Sequence, residues 1–192
     1  MFPTVRGALR RLLTGVCLVL LVAVAGASAA RAESGRVVRV GDGDTITVRL
    51  GAVEEKVRLI GIDTPELDDP RHDWRHLAYR AREYARSRLA GRTVVLTSDP
   101  LCRNRDKYGR LLRYVAVADG TDVNEEMIRT GYARAFTRFR FTRMERYESA
   151  EEDARKSGRG RWSLPGHEAA ERRPGPSLIG VTSCREPRHP RS

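Results

Sequence analysis

The stretch "RLIGIDTPE", residues 58–66, sets an arginine and two acids around an apolar run. In "KVRLIGI" both faces of the strand are mostly apolar, so Arg58 is costly there unless its guanidinium meets an anion. An edge-strand arginine whose stem packs and whose head reaches water is the alternative. Taken alone, "DTPE" reads as a helix start, with Thr64 as N-cap, Pro65 at the first helical position and Glu66 in the first turn. Pro70 arrives early for that reading, and Asp68 and Asp69 make the stretch unusually acidic within a basic chain. A carboxylate cluster in such a chain calls for a cation.

Two further stretches supply complementary groups. "GDGDT", residues 41–45, places Asp44 at the start of a strand, while Asp42-Gly43 reads as a hairpin turn or a bulge. An EF-hand loop is excluded, because Ile46 and Val53 stand where such a loop needs ligands. "DKYGR", residues 106–110, has a Tyr108-Gly109 turn and leaves Arg110 at the entrance of a strand. A surface loop with scattered charge is the alternative there. Read together, Asp44 and Asp63 hold a hard cation through oxygen ligands. The cation, Arg58 and Arg110 then neutralise a phosphodiester, and Glu66 stands beside them as a base or water-orienting group. Phosphoryl transfer asks a protein for charge neutralisation and an oriented nucleophile, and a guanidinium suits it by bonding two phosphate oxygens at once.

These groups meet only if particular elements position them. "RVVRV" alternates into "GDGD", and "TITVRL" sets Ile46, Val48 and Leu50 on one face. "GAVEE" reads as a turn and "KVRLIGI" as the third strand, so the hairpin brings Asp44 beside Asp63. A register slip of one residue would send either side chain to the other face. Pro65 and Pro70 bracket an expected irregular loop through His72, Trp74 and His76, followed by a helix from about Leu77 to Leu89 that ends at Gly91. "RTVVLTS" and "LLRYVAVA" read as strands around the polar loop "LCRNRDKYGRL". "DVNEEMIRTG" reads as a short helix, "YARAF" as a short last strand, and a charged helix is expected from about Thr142 to Lys156. The expected class is α+β: a five-stranded, partly open barrel of the oligonucleotide-binding type (OB-fold) with about three packed helices.

The bulk numbers agree with a polyanionic partner. The 192 residues carry 36 Lys and Arg against 25 Asp and Glu, a formal net charge of +11. Such an excess points to nucleic acid or an anionic membrane surface, with an arginine-rich proteome as the plain alternative. Hydrophobic residues make up 40%, enough for one modest core. Arg6, Arg10 and Arg11, the apolar run Leu12–Ala25 and the small residues Ala27-Ser28-Ala29 have the layout of a secretory signal peptide. An uncleaved membrane anchor is the alternative, since a span needs about 20 apolar residues. Thr14, Gly15 and Val16 before Cys17 give no lipid-attachment signal. Cleavage after Ala29 removes three arginines and no acids, taking the net charge from +11 to +8. The expected organisation is therefore a signal peptide over 1–29, one domain over 36–163 and a Pro/Arg-rich disordered tail over 164–192. Cys102 and Cys184 then form a disulfide or stay as two free thiols, and two cysteines are too few for a structural zinc site.

Within about residues 36 to 163 the chain resembles the staphylococcal nuclease (thermonuclease) family. "DGDT" (42–45), "VRLIGIDTPE" (57–66), "DKYGR" (106–110), "VNEEMIRTGYA" (123–133) and "RGRWS" (159–163) occur in family order with family-like spacing. No single piece is specific; the ordered set is. The resemblance implies a calcium-dependent endonuclease that cleaves single- and double-stranded DNA and RNA at the 5′ P–O bond and leaves 3′-phosphate ends. It implies Ca2+ ligation by Asp44, Asp63 and the Thr64 backbone carbonyl, a general base at Glu66, and phosphate-binding arginines at Arg58 and Arg110. Lys107 and Tyr108 match positions that contact a terminal phosphate. Where the family places two base-flanking tyrosines, this chain has Thr137 and Phe139. A secreted or periplasmic monomer with no stable protein partner is expected. The competing readings are a non-catalytic nucleic-acid-binding OB module, which usually lacks these acids and arginines, and a basic membrane-surface protein, which leaves the acid cluster unexplained.

Overall fold

The computed structural model describes residues 32–167; the signal peptide, Cys17, Cys184 and nearly all of the expected tail lie outside them. β1 (Ala32–Val40), β2 (Thr45–Leu50), β3 (Val53–Leu59), β5 (Thr93–Thr97) and β6 (Leu111–Ala116) close a barrel in the order β1-β2-β3-β6-β5. β4 (Ile62–Asp63) pairs with β7 (Arg134–Ala135) in a separate two-stranded ribbon. Three helices pack around the barrel: α1 (His72–Leu89), α2 (Val123–Arg129) and α3 (Met144–Lys156), followed by a 3-10 turn at Gly160–Ser163. Among the described residues no helix is long and apolar enough to cross a membrane.

The barrel is closed, not partly open, and β1 is the reason. Its first half, Ala32–Arg36, pairs with β5, and its second half pairs with β2 as far as Val40↔Ile46. A register shift between Val37 and Arg39 bends the strand so that one element serves both neighbours. β2 and β3 pair from Leu50↔Val53 to Thr45↔Arg58. The hairpin turn is only Gly51-Ala52, shorter than the expected "GAVEE", because Val53, Glu54 and Glu55 already carry ladder pairs. A parallel pairing of Val57–Leu59 with Leu111–Arg113 completes the barrel. Ile46, Val48 and Val57 turn inward and are at most 1% exposed. With β-branched residues on the inner face, the barrel interior is filled by side chains.

α1 begins at His72, five residues before the expected Leu77. Asp69 explains the early start: its carboxylate accepts from the Arg71 amide at 2.9 Å and from the Arg71 guanidinium at 2.9 and 2.7 Å. Trp74 then joins Leu77, Ala78, Ala81, Ala85 and Leu89 on one buried stripe, a helical spacing hidden in the sequence by the polar residues around it. Trp74 therefore packs in the domain rather than standing in a loop. α2 is capped as expected, Asp122 accepting from the Glu125 amide at 3.3 Å. The Tyr147 hydroxyl of α3 donates to the same Asp122 carboxylate at 3.0 and 3.1 Å.

Asn124 locks α2 to the strands. It is fully buried; its Nδ2 donates to the carbonyls of Ile60 at 2.9 Å and Arg113 at 3.3 Å, and its Oδ1 accepts from the Val115 amide at 3.1 Å. Asn124→Ala removes all three bonds from the interior, and of the three backbone groups the Arg113 carbonyl still accepts from the Ile60 amide at 3.0 Å. The expected cost is about 2–4 kcal/mol, read as a lower urea midpoint at unchanged slope; an unchanged midpoint would contradict it.

Candidate functional site

Four segments converge at one end of the β2–β3 hairpin: the β1–β2 turn, the end of β3, the loop after β4 and the loop before β6. The Leu59 amide donates to the Asp44 carbonyl at 2.9 Å, which fixes that turn against the end of β3. The Asp44 amide donates to Asp42 Oδ1 at 3.0 Å, a local turn closure. Gly43 is required here, since a Cβ would sit 2.6 Å from Thr64 Cγ2. That close approach lets the amide and hydroxyl of Thr64 donate to Asp44 Oδ2 at 3.2 and 3.1 Å.

Arg58 lies at the centre, 2% exposed. Its Nη2 is 3.0 Å from Asp44 Oδ2 and 3.8 Å from Asp63 Oδ1. The strand pairing expected from the sequence therefore does bring Asp44, Arg58 and Asp63 together. Arg134, on the ribbon strand opposite Asp63, donates to Asp63 Oδ2 from Nε at 3.0 Å, with its Nη2 at 2.9 Å. Arg110 is aimed at the same region by Asp106, which accepts from its Nε at 2.6 Å and from its amide at 2.9 Å. Its Nη1 donates to Thr45 Oγ1 at 3.4 Å, and Thr45 is the cross-strand partner of Arg58.

Three buried atoms here make no hydrogen bond: Asp63 Oδ1, Arg58 Nε and Arg110 Nη2. One is an acceptor on a carboxylate and two are donors on guanidinium groups. Buried polar atoms are rarely left so. An unpartnered carboxylate oxygen beside a second carboxylate suits a cation, and unpartnered guanidinium N–H groups beside it suit an anion.

The carboxylates crowd one another. Burial, with the Asp44 charge nearby, raises the pKa of Asp63 despite Arg134, Arg58 and Arg161. Burial, with Asp44 beside it, pushes Asp42 up to about 6. Burial and the negative charges of Asp44, Asp63, Asp42 and Asp68 push Glu66 up to about 7. A bound divalent cation would relieve this repulsion. Among the described residues no set of three or more His, Cys, Asp or Glu side chains forms a metal cluster. Asp44 and Asp63 could offer such an ion hard carboxylate oxygens, with backbone carbonyl and water to complete the shell, a donor set that would fit calcium.

A raised carboxyl pKa favours the fold at low pH. The contribution of Glu66 is fully present below its ordinary value of 4.5 and is lost as pH rises through about 7. Glu66→Gln should therefore gain stability relative to the metal-free wild type across that window. Denaturant midpoints of both proteins at each pH check it; a constant difference between them would contradict the crowding.

The remaining expected residues lie around this centre. Tyr108 is 58% exposed, its ring 4.8 Å from Lys107 Nζ and 5.3 Å from the Arg110 guanidinium. Phe139 is buried and, with Phe136, Phe141, Leu59 and Leu112, lines a cavity of about 20 Å³ that borders Arg58. Phe136 packs edge-on to Phe139 at 5.9 Å. His76 lines a different cavity of about 130 Å³ with Asp73, Arg80 and Tyr132. Sequence reasoning missed Asp106, Arg134 and Phe136. The four-residue spacing of Asp106 and Arg110 within one tight turn was a usable signal for the first, and the aromatic run "FTRFRF" for the last. Nothing local marks Arg134.

Comparison with known proteins agrees with this geometry. Residues 56–164 match the family model described as staphylococcal nuclease homologue. The thermonuclease of Staphylococcus hyicus is 36% identical over 141 residues, 72% of this chain and 81% of that protein. An uncharacterised endonuclease of Escherichia coli is 36% identical over 129 residues, 67% of this chain and 76% of that protein. An uncharacterised protein of Methanocaldococcus jannaschii is 31% identical over 148 residues, 67% of this chain and 71% of that protein. With the barrel, the three helices and the matched length in agreement, the chain belongs to the staphylococcal nuclease family.

Proposed function

We propose that this nuclease is a calcium-dependent phosphodiesterase that cleaves DNA and RNA at the 5′ P–O bond and leaves 3′-phosphate ends. The observation that carries the reading is the set of three unpartnered buried atoms: a carboxylate oxygen on Asp63 and guanidinium N–H groups on Arg58 and Arg110. Such a set asks for a cation and a phosphate side by side.

Asp44, Asp63 and the Thr64 carbonyl would hold the calcium ion, which supplies charge neutralisation and Lewis acidity at the phosphoryl oxygens. Arg58 and Arg110 bind those oxygens and stabilise the charge that builds on them in the transition state. Glu66, with a pKa pushed up to about 7, is matched to proton transfer near neutrality. It takes a proton from water as the water oxygen bonds to phosphorus; the bond to the 5′ oxygen breaks, and that oxygen is protonated from solvent. Lys107 and Tyr108 hold the neighbouring phosphate, while buried Phe139 backs the wall beside Arg58 rather than offering a ring face to a base.

Export to the periplasm or the exterior belongs to this reading and is supported by the layout of residues 1–29. Cys102 is disulfide-bonded, as an oxidising compartment allows, and Cys184, one of the two alternatives being that it pairs with Cys102, lies outside the described residues. The protein acts as a monomer. End-group analysis of an internally labelled oligonucleotide tests the chemistry. Products ending in 3′-phosphate, formed with calcium and not with chelator, are expected; 5′-phosphate ends would overturn it.

A further inference from the structure

We infer that His72 and His76 on α1 form a surface site for a transition-metal ion of the zinc type, separate from the carboxylate centre and independent of the proposed function. The two imidazoles are the protein ligands, and water completes the shell.

The early start of α1 creates the pair. In an irregular loop, histidines four residues apart have no fixed relation, but the helix runs from His72 to Leu89 and holds both. Residues four apart on a helix are neighbours one turn apart, with Cβ atoms about 5–6 Å from each other. Two histidines at that spacing on one helical face can grip a single zinc ion. Trp74, Leu77, Ala78 and Ala81 occupy the buried stripe of α1, and both histidines stand on the exposed face opposite it. His72 Nδ1 lies 3.2 Å from Asp73 Oδ1. A metal-bound imidazole characteristically donates its other ring N–H to a carboxylate, and with Nδ1–H held in that way the Nε2 lone pair is left for a metal. His76 makes no hydrogen bond or ion pair among the described residues. It borders the cavity of about 130 Å³ that it shares with Asp73, Arg80 and Tyr132, and a polar cavity of that size has room for water ligands.

Neighbouring charge leaves the place open to a cation. Asp73 supplies a negative charge between the two histidines, and the arginines of the same turns are engaged elsewhere. Arg71 is bonded to the Asp69 carboxylate at 2.9 and 2.7 Å, Arg75 donates to the Asp69 carbonyl at 3.0 Å, and Arg80 donates to the Tyr132 hydroxyl at 3.4 Å. Imidazole nitrogen suits zinc, nickel or copper, whereas calcium takes oxygen ligands, so this pair does not compete with Asp44 and Asp63 for calcium. An ion held across the first turn closes it where the N-cap residue, Arg71, makes no side-chain capping bond. Binding that needs the helix stabilises the fold.

The test is equilibrium dialysis of zinc alone against the folded mature chain, prepared without a histidine tag, near neutral pH and in saturating calcium so that the carboxylate centre is filled. Circular dichroism confirms the fold of each variant. The wild type should bind zinc saturably. His72→Ala and His76→Ala should each weaken that binding about tenfold or more, at least the usual effect of losing an outer-shell partner. His167→Ala removes the other described histidine, whose ring packs edge-on to Trp162, and should leave zinc affinity in place. The urea midpoint should rise with zinc in the wild type and stay fixed in His72→Ala and in His76→Ala. No saturable binding by the wild type overturns the site. Wild-type affinity in either of those two variants overturns the pair, and a loss in His167→Ala as large as theirs places the ion elsewhere and overturns it as well. Cleavage is read separately: a chain that binds zinc through the pair but does not cut DNA in calcium overturns the proposed function and leaves the zinc site standing.

Discussion

Arg58→Ala lowers kcat by about 10³-fold or more. The side chain has two jobs. It stands between Asp44 and Asp63, at 3.0 and 3.8 Å, and it presents an unpartnered Nε in a buried site. Removing one preorganised donor at a developing charge costs about 10²–10³ in rate, and a guanidinium that meets a transferring phosphoryl group can contribute about 10³–10⁵. The same substitution leaves buried Asp44 without its cation beside Asp63, which keeps Arg134. In chelator the variant should be destabilised by about 3–5 kcal/mol, the usual cost of breaking a buried pair. Calcium should recover part of that loss, since a ligand that binds only the folded state stabilises it. Arg58→Lys should not rescue turnover, because an ammonium lacks the planar fork. Steady-state kinetics at saturating calcium, with denaturant midpoints in chelator and in calcium, read all three effects. Turnover within tenfold of wild type would remove Arg58 from the mechanism.

Glu66→Gln lowers kcat by about 10²–10⁴-fold, the range for loss of a positioned general base. Glu66 stands apart from the ion pairs that bind Asp44, Arg58 and Asp63, so the amide should keep the fold and leave calcium affinity close to wild type. The acid limb of the pH–rate profile separates a base from a bystander. In the wild type, activity rises with pH as Glu66 loses its proton; its pKa of about 7 in the metal-free site moves down when a cation sits beside it. The limb should therefore shift to lower pH as calcium approaches saturation and disappear in Glu66→Gln. An identical acid limb in both proteins, from about pH 5 to about pH 9, would assign it to another group.

The hairpin and its consequence were legible in the sequence because β2 alternates and a short turn fixes register. Once Thr45 faces Arg58, Asp44 must meet the residues that follow β3. The meeting of acids and arginines at the centre was legible for the same reason: such groups at the ends of apolar strands have few ways to be satisfied. What was hidden depends on contacts far apart in the chain. Asp63 and Arg134 meet only because β4 and β7 pair, and both strands are too short to show a period. Closure through the parallel β3–β6 pairing needs the whole fold. Asn124 looked like one more polar residue of a capped helix, yet it serves Ile60, Arg113 and Val115. The start of α1 was misplaced because Pro70 and a run of charges masked Trp74 as the first residue of the buried stripe.

The most direct test of the account is an incubation of the purified mature chain with single-stranded DNA and with RNA, in calcium and in chelator, beside Glu66→Gln. Calcium-dependent cleavage of both polymers to 3′-phosphate ends, lost in the variant, is the predicted result. Tight binding without cleavage in calcium would contradict it and make the chain a nucleic-acid-binding module that retains the residues of an active site.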